Sequence, residues 1–377
     1  MSFKKTGLEP SIRTVLQQLG IKEPYPIQKE GIPKILKKQD LVGLAPTGSG
    51  KTLCFVLPII QELLNKKLTK DRKPETLIIV PTRELCLQIF EVIKSILKPL
   101  SADIKALPIY GGVSINPQMQ KLIGTNLLVA TPGRLLDLTE KNAVELSEVK
   151  TLVLDEADQV LNLGFQDELE KIINLLPKRK QCILFSATME KGVENIANKL
   201  LLNNPHKIKL TRETITPDQI NQTAYQVPNE KKGPFLRELI GKWEGKQVLV
   251  FASSIRTVDN VVQKLKKNKF PAMALHSKKS QGARNDAMTQ FRNGKLQILV
   301  ATDLAARGID IPFLPYVVNY ELPRSPQDYI HRIGRTGRAE QNGVAISFIS
   351  EQDEHHFGVI QKKMKKQVAF SEDQFLK

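Results

Sequence analysis

Nine apolar runs of three to five residues recur along the chain, each separated from the next by a longer amphipathic stretch. In the first half they fall at 40–44, 77–80, 127–130, 151–154 and 182–185; in the second they fall at 248–251, 272–275, 298–300 and 344–348. Short runs that stay apolar without alternation belong to strands buried on both faces. Helix-length spacers between them make the sheet parallel. Two series of such runs predict an α/β chain of two doubly wound parallel-sheet lobes. Between the series, residues 203–222 are polar and broken by Pro205 and Pro217, which marks the linker. The expected division is an N-terminal segment at 1–29, a first lobe at 30–210, a linker at 211–222, a second lobe at 223–365 and a short tail at 366–377.

A chain of 377 residues, 41% hydrophobic and 25% charged, is long enough for two cores and is neither disordered nor fibrous in composition. No apolar run approaches the ~18–20 residues that cross a bilayer. Residues 1–9 carry two lysines with no apolar segment behind them, so no secretory signal is expected. Three scattered cysteines (Cys54, Cys86, Cys182) make neither a disulfide framework nor a CxxC metal site and point to a reducing cytoplasm. The net charge of +17 is spread: residues 1–210 hold 30 basic and 22 acidic groups, the remainder 26 and 17. Such a surface fits nucleic-acid phosphate, or a well-solvated exterior; charge alone does not choose.

The residues just beyond each apolar run are more informative. Polar, Gly-rich or Pro-rich clusters stand there: 45–52 (APTGSGKT), 81–84 (PTRE), 131–134 (TPGR), 155–158 (DEAD), 186–188 (SAT) and 302–303 (TD). Ligands of open parallel sheets bind at the carboxyl ends of strands, so these clusters define a functional face. In the first, Ala45, Pro46, Thr47, Gly48, Ser49, Gly50, Lys51 and Thr52 fit a phosphate-binding loop. Its glycines let backbone N–H groups turn toward phosphate oxygens at the start of a helix. Lys51 would neutralise the β- and γ-phosphates and Thr52 would offer its hydroxyl to Mg²⁺. Asp155 and Glu156 end a strand as adjacent carboxylates, either as a helix cap or as a cation ligand beside a general base. The phosphate loop upstream favours the second reading, with Asp155 toward Mg²⁺ and Glu156 toward the attacking water. Late in the chain, 331–338 (HRIGRTGR) spaces three arginines with glycines. Arg335 and Arg338 suit arginine fingers on a γ-phosphate, or a solvated basic turn.

Together these residues resemble the DEAD-box ATP-dependent RNA helicases, over nearly the whole chain. Phe3, Gly20-Ile21 and 24–28 (PYPIQ) match the adenine-reading element, with Tyr25 where the family more usually has Thr. The phosphate loop, 81–85, Gly111-Gly112, 131–134, 155–158, 186–188, Gln281 with Arg284, 302–303 with 306–310, and 331–338 come in the family's order. The wording is similar to the bacterial RhlE-type branch. The resemblance implies two RecA-like lobes, ATP and Mg²⁺ as cofactors, and single-stranded or locally unwound RNA as partner. Gln28 would read the adenine edge, Phe3 would stack on the ring and Asp310 would hold the ribose. His331 joins Arg335 and Arg338 in the catalytic set. Pro81, Thr82, Arg83, Gly112, Thr131, Gly133, Arg134, Arg284 and Thr302 would hold RNA by its backbone, without reading sequence. Ser186, Thr188 and Asp303 would couple hydrolysis to strand separation. A monomer is expected, with ribosomal precursors or RNA-decay complexes as candidate settings.

Two other readings stay open on sequence. A DNA translocase could use the same lobes, though Asp158 and Gln28 speak against it. An RNA clamp with slow turnover could carry every motif. The 29 residues after Phe348 are expected to add no further RNA-binding domain. If Arg335 and Arg338 are fingers, each replaced by alanine should cut RNA-saturated turnover by about 10³-fold or more while leaving ATP affinity without RNA nearly intact. A loss of only a few-fold in both variants would return them to a basic turn.

Overall fold

Apolar strands alternate their side chains between two faces, and in this protein both faces are covered. A computed structural model describes residues 2–46, 48–65, 71–201, 204–210, 220–306, 314–336 and 343–376. The chain forms two units, Met1–Arg212 and Glu213–Lys377. The first holds strands β1 (Leu41–Leu44), β2 (Thr76–Ile79), β3 (Ala106–Ile109), β4 (Leu127–Ala130), β5 (Thr151–Leu154), β6 (Gln181–Ser186) and β7 (His206–Lys209). They lie in the order β3-β4-β2-β5-β6-β1-β7, every described pair parallel. Ile78 and Val80 enter one apolar cluster, Leu77 and Ile79 the other on the opposite face. That double burial is why β2 reads as a continuous apolar run.

The second unit repeats the plan with β8 (Ile220–Gln226), β9 (Val248–Phe251), β10 (Ala272–Leu275), β11 (Ile298–Ala301), β12 (Tyr316–Asn319) and β13 (Gly343–Ile349). Their order is β10-β11-β9-β12-β13-β8, again all parallel. Val248 and Val250 pack on one face, Leu249 and Phe251 on the other. The three cysteines are free and buried. No helix among the described residues is long and apolar enough to cross a membrane.

The linker expectation of 211–222 needs correcting at its second boundary. β7 occupies 206–209 within the polar stretch, and β8 begins at Ile220, inside the expected 211–222 linker. Part of the polar composition that suggested a linker belongs to β7 and the start of β8, the last strands of their sheets. The tail is not an appendage either. Ala224 donates its N–H to Ala369 O at 3.1 Å and accepts from Ser371 N–H at 2.9 Å, which lays the tail along the β8 edge. Phe375 then stacks on buried Phe235 with ring centroids 6.0 Å apart.

Gly43 of β1 faces Phe185 of β6 in register. A Cβ at Gly43 would lie 2.3 Å from the Phe185 ring, which is itself fully buried. Gly43→Ala should therefore destabilise the first unit by about 1–3 kcal/mol through overpacking. A denaturant midpoint equal to that of the unmodified chain would show that the ring can yield.

Candidate nucleotide and RNA sites

In the first unit, β1 ends where the Gly-rich loop begins. Gly48 and Gly50 adopt left-handed backbone (φ +80° and +88°), and Gly50 precedes the helix Lys51–Leu64. A residue with a Cβ is strained in that conformation, so glycine there is a geometric requirement. Lys51 is buried, with Nζ donating to Ala45 O at 3.0 Å, and Ser49 Oγ donates to Pro46 O at 2.8 Å. The Ala45 N–H donates to Ser186 O at 3.0 Å, so the loop is tied to the end of β6.

Asp155 and Glu156 stand at the end of β5. Asp155 is 2% exposed and accepts the Glu156 N–H at 2.9 Å; its own N–H donates to Ile79 O at 3.0 Å. Burial pushes its carboxyl above the usual range, against the opposing pull of the Lys51 ammonium and of the Glu156 N–H. Glu156 is held in the left-handed region (φ 50°, ψ 49°), a conformation that costs a non-glycine residue roughly 1–3 kcal/mol and collects at functional sites. Asp158 accepts from Thr188 Oγ1 at 3.3 Å, and the Thr188 N–H lies 3.4 Å from Ser186 Oγ. The acidic segment and the Ser186–Thr188 segment are thus in contact.

Ahead of the loop, Gln28 is fully buried. Its Oε1 accepts the Tyr25 N–H at 2.9 Å and its Nε2 donates to Gly50 O at 2.8 Å. Phe3 lies in the apolar core at 4% exposure, so the ring assigned to adenine stacking is a packing group in this structure.

The ends of β2, β3 and β4 carry the expected RNA contacts of this unit. Thr82 caps the helix Arg83–Leu100 by accepting the Leu85 N–H at 3.3 Å. Gly112 has φ +76°, and a Cβ there would lie 1.9 Å from Arg83 Nη1; only glycine lets the guanidinium sit where it does. Arg134 donates to Val113 O at 2.8 Å. Thr131 and Pro132 are buried, while a Cβ on Gly133 would meet open space. The structure therefore brings Arg83, Gly112 and Arg134 to one side of the β3–β4–β2 ends.

In the second unit, Ser280 caps the helix Gln281–Arg292, and Arg284 on its first turn is 7% exposed. The Thr302 N–H donates to Leu275 O at 3.2 Å, which fixes the end of β11 beside that of β10. Asp303 accepts from Arg332 in a fork, Nε to Oδ1 at 2.5 Å and Nη2 to Oδ2 at 2.7 Å. Arg332 Nη1 also donates to Asn319 Oδ1 at 3.1 Å and Glu321 O at 2.6 Å, and its guanidinium lies 4.9 Å from the Phe251 ring centre. Sequence reasoning passed over Arg332 in favour of its neighbours. The signal was available: on the helix Pro326–Ile333 it shares the buried side with Tyr329 and sits next to Ile333. His331 Nε2 lies 3.3 Å from Gln327 Nε2 and Arg335 is half-buried. Thr47, Asp310 and Arg338 lie outside the described residues.

Two parallel-sheet α/β units, one with a phosphate loop beside paired strand-end carboxylates, define a nucleoside-triphosphate-binding class of RecA-like architecture. Residues 25–196 match the DEAD/DEAH box helicase model and 231–340 the helicase conserved C-terminal domain. The chain is 36% identical over 368 residues to the DEAD-box ATP-dependent RNA helicase CshA of Bacillus cereus, covering 97% of this chain and 69% of that protein. It is 39% identical to DEAD-box ATP-dependent RNA helicase 40 of Arabidopsis thaliana, covering 94% of this chain but only 32% of that one. In structure it resembles S. cerevisiae Dbp5 bound to RNA and ADP BeF3, with a TM-score of 0.85, 30% identity, and coverage of 98% and 95%. The chain belongs to the DEAD-box family of ATP-dependent RNA helicases.

The sign of the Asp155 shift makes a test. Below its ordinary pKa of 3.8 the carboxyl is protonated folded and unfolded, so burial costs no charge; the cost grows as pH rises through the raised folded value. Asp155→Asn keeps the acceptor for the Glu156 N–H and removes the charge. It should raise the ligand-free melting temperature at pH 7 by roughly 2–4 °C for each kcal/mol relieved, and lose that advantage in acid. A lower melting temperature at pH 7 would show that Lys51 needs the carboxylate more than burial opposes it.

Proposed function

We propose that the chain is an RNA-stimulated ATPase that separates short stretches of RNA duplex or remodels RNA–protein complexes. The observation that carries this reading is the placing of Lys51 after β1 and of Asp155 and the left-handed Glu156 after β5, the two strands that flank β6, with the Lys51 charge acting on the Asp155 carboxyl. Lys51 neutralises phosphate charge, and Glu156 orients the attacking water and takes its proton. A buried carboxylate whose burial outweighs the attraction of Lys51 is one that a hard cation stabilises. Asp155 with the Thr52 hydroxyl therefore fits Mg²⁺, which takes few protein oxygens and keeps several waters. When bound, that ion supplies neutralisation of the phosphate oxygens.

Arg335 and Arg338, with His331, are the second unit's catalytic groups in this reading, the arginines stabilising charge that develops on the γ-phosphate. RNA is held by its backbone through Arg83, Arg134, Gly112 and Gly133 on the first unit and Arg284 and Thr302 on the second. The RNA- and ADP-BeF3-bound state of the Dbp5 neighbour supports this assignment. Ligands that both favour a closed arrangement favour each other, which couples ATP to RNA. Asp158, Ser186 and Thr188 supply the link inside the first unit. The domain division expected from the sequence, with the second lobe extended back to Ile220, is the working division. The RhlE-type branch rests on motif wording alone, and a cytoplasmic monomer is the proposed state.

Glu156→Gln should keep ATP and RNA binding and stop turnover, because the base is lost while Lys51 and Asp155 stay. Steady-state phosphate release, read beside equilibrium ATP binding, checks it. Turnover within tenfold of the unmodified chain would remove Glu156 as the base.

A further inference from the structure

The buried ring of Phe3 leaves the nucleotide base without the aromatic face that the sequence assigned to it. A fully buried Gln28, clamped between the Tyr25 N–H and Gly50 O, offers an edge at most. One aromatic side chain does stand open at this point. Tyr25 is 54% exposed, the most exposed large apolar side chain among the described residues. A Cβ at Gly50 would lie 3.0 Å from Tyr25 Cδ2 and 3.1 Å from Tyr25 Cβ, so the side chain rises directly beside the end of the phosphate loop.

Its placement is fixed by backbone and not by its own hydroxyl. Tyr25 has extended backbone (φ −64°, ψ 160°) immediately before Pro26, the first residue of the helix Pro26–Leu36. A proline restricts the residue before it to this region. The Gln28 amide then pins the Tyr25 N–H. The side chain is thus carried on an already ordered segment, and only its own rotamer freedom is lost when a ligand covers it. An exposed aromatic ring held in this way is a surface on which a planar base gains stacking energy.

We propose that Tyr25 is a further binding residue of the nucleotide site, its ring forming the stacking face for the base. The proposal rests on the ATP reading above and deepens it. It divides the labour: the buried Gln28 amide orders the segment, and the ring of Tyr25 supplies affinity. The family's more usual Thr at this position has no such ring, so this chain holds its base by a contact that such relatives lack.

Two substitutions separate ring from hydroxyl. Tyr25→Phe keeps the ring and Tyr25→Thr keeps a hydroxyl; neither touches the Tyr25 N–H that Gln28 binds. Calorimetric titration of ATP into the full chain, without RNA, should find Tyr25→Phe within twofold of the unmodified protein. Tyr25→Thr should bind about tenfold more weakly, the effect of one base–aromatic stack. Ligand-free melting temperatures should be alike, since the side chain is exposed. An ATP affinity in Tyr25→Thr within twofold of the unmodified chain overturns the proposal. So does an equal loss in Tyr25→Phe, which would assign the contact to the hydroxyl. If the unmodified chain itself binds no ATP, the nucleotide reading falls first and takes this one with it.

Discussion

Every described strand of each unit runs in the same direction, and this constraint organises the rest. All strand-to-helix turns of a unit emerge on one edge of its sheet, so the sequence clusters beyond the strands meet without any further device. Strand order then sorts them. In the first unit the neighbours β5, β6 and β1 end in Asp155-Glu156, Ser186–Thr188 and the phosphate loop, while β3, β4 and β2 end in Gly112, Thr131–Arg134 and Pro81–Arg83. The groups proposed for hydrolysis and those proposed for RNA thus form two stretches of one edge that meet where β2 pairs with β5. The bond from the Asp155 N–H to Ile79 O crosses that seam.

Both units keep charge at these edges, and they stabilise it differently. In the first, Lys51 and Asp155 are each buried, and burial still pushes the carboxyl up despite the ammonium. That is an unbalanced site, which a phosphate and a cation would complete. In the second, Arg332 has its guanidinium satisfied by the Asp303 carboxylate, Asn319 and a carbonyl, with the Phe251 ring over it. Four of the five donors of its planar fork are engaged in these bonds. The saturated cation positions the ends of β11 and β12; the unbalanced pair is where chemistry is expected. Removing the Asp303 carboxylate leaves the buried Arg332 guanidinium without its ion partner, which in comparable cases costs about 3–5 kcal/mol.

Burial decides how much was legible. β2, β4, β5, β6, β9, β10 and β11 are covered on both faces and read directly as apolar runs. β7 and β8 carry polar residues along the strand and β3 is interrupted by Pro108, so no unbroken apolar run announces them. β12 was hidden for another reason. It is central, but its buried Asn319 breaks the run, because that amide serves Arg332 and Ser347. Motif spacing identified the phosphate loop and the acid pair, since both chemistries need adjacent residues in the chain. It failed for Phe3, whose environment is set by packing of distant segments, and for Arg332, whose partners come from β12 and from the segment after β11.

The bond between Gln28 Nε2 and Gly50 O carries the last consequence. It joins a segment that precedes the first sheet to the turn that opens the helix Lys51–Leu64. The room for it exists because Gly50 lacks a side chain: a Cβ there would stand 2.5 Å from the Gln28 amide nitrogen. One glycine thus serves two requirements, the left-handed turn of the loop and the approach of the amide. The geometry of the phosphate loop and the position of the Pro24–Gln28 segment cannot change independently. The Cys54 thiol on the same helix adds a second tie by donating to Ile27 O at 3.3 Å, and any coupling between a ligand of the loop and a ligand of the segment is reciprocal.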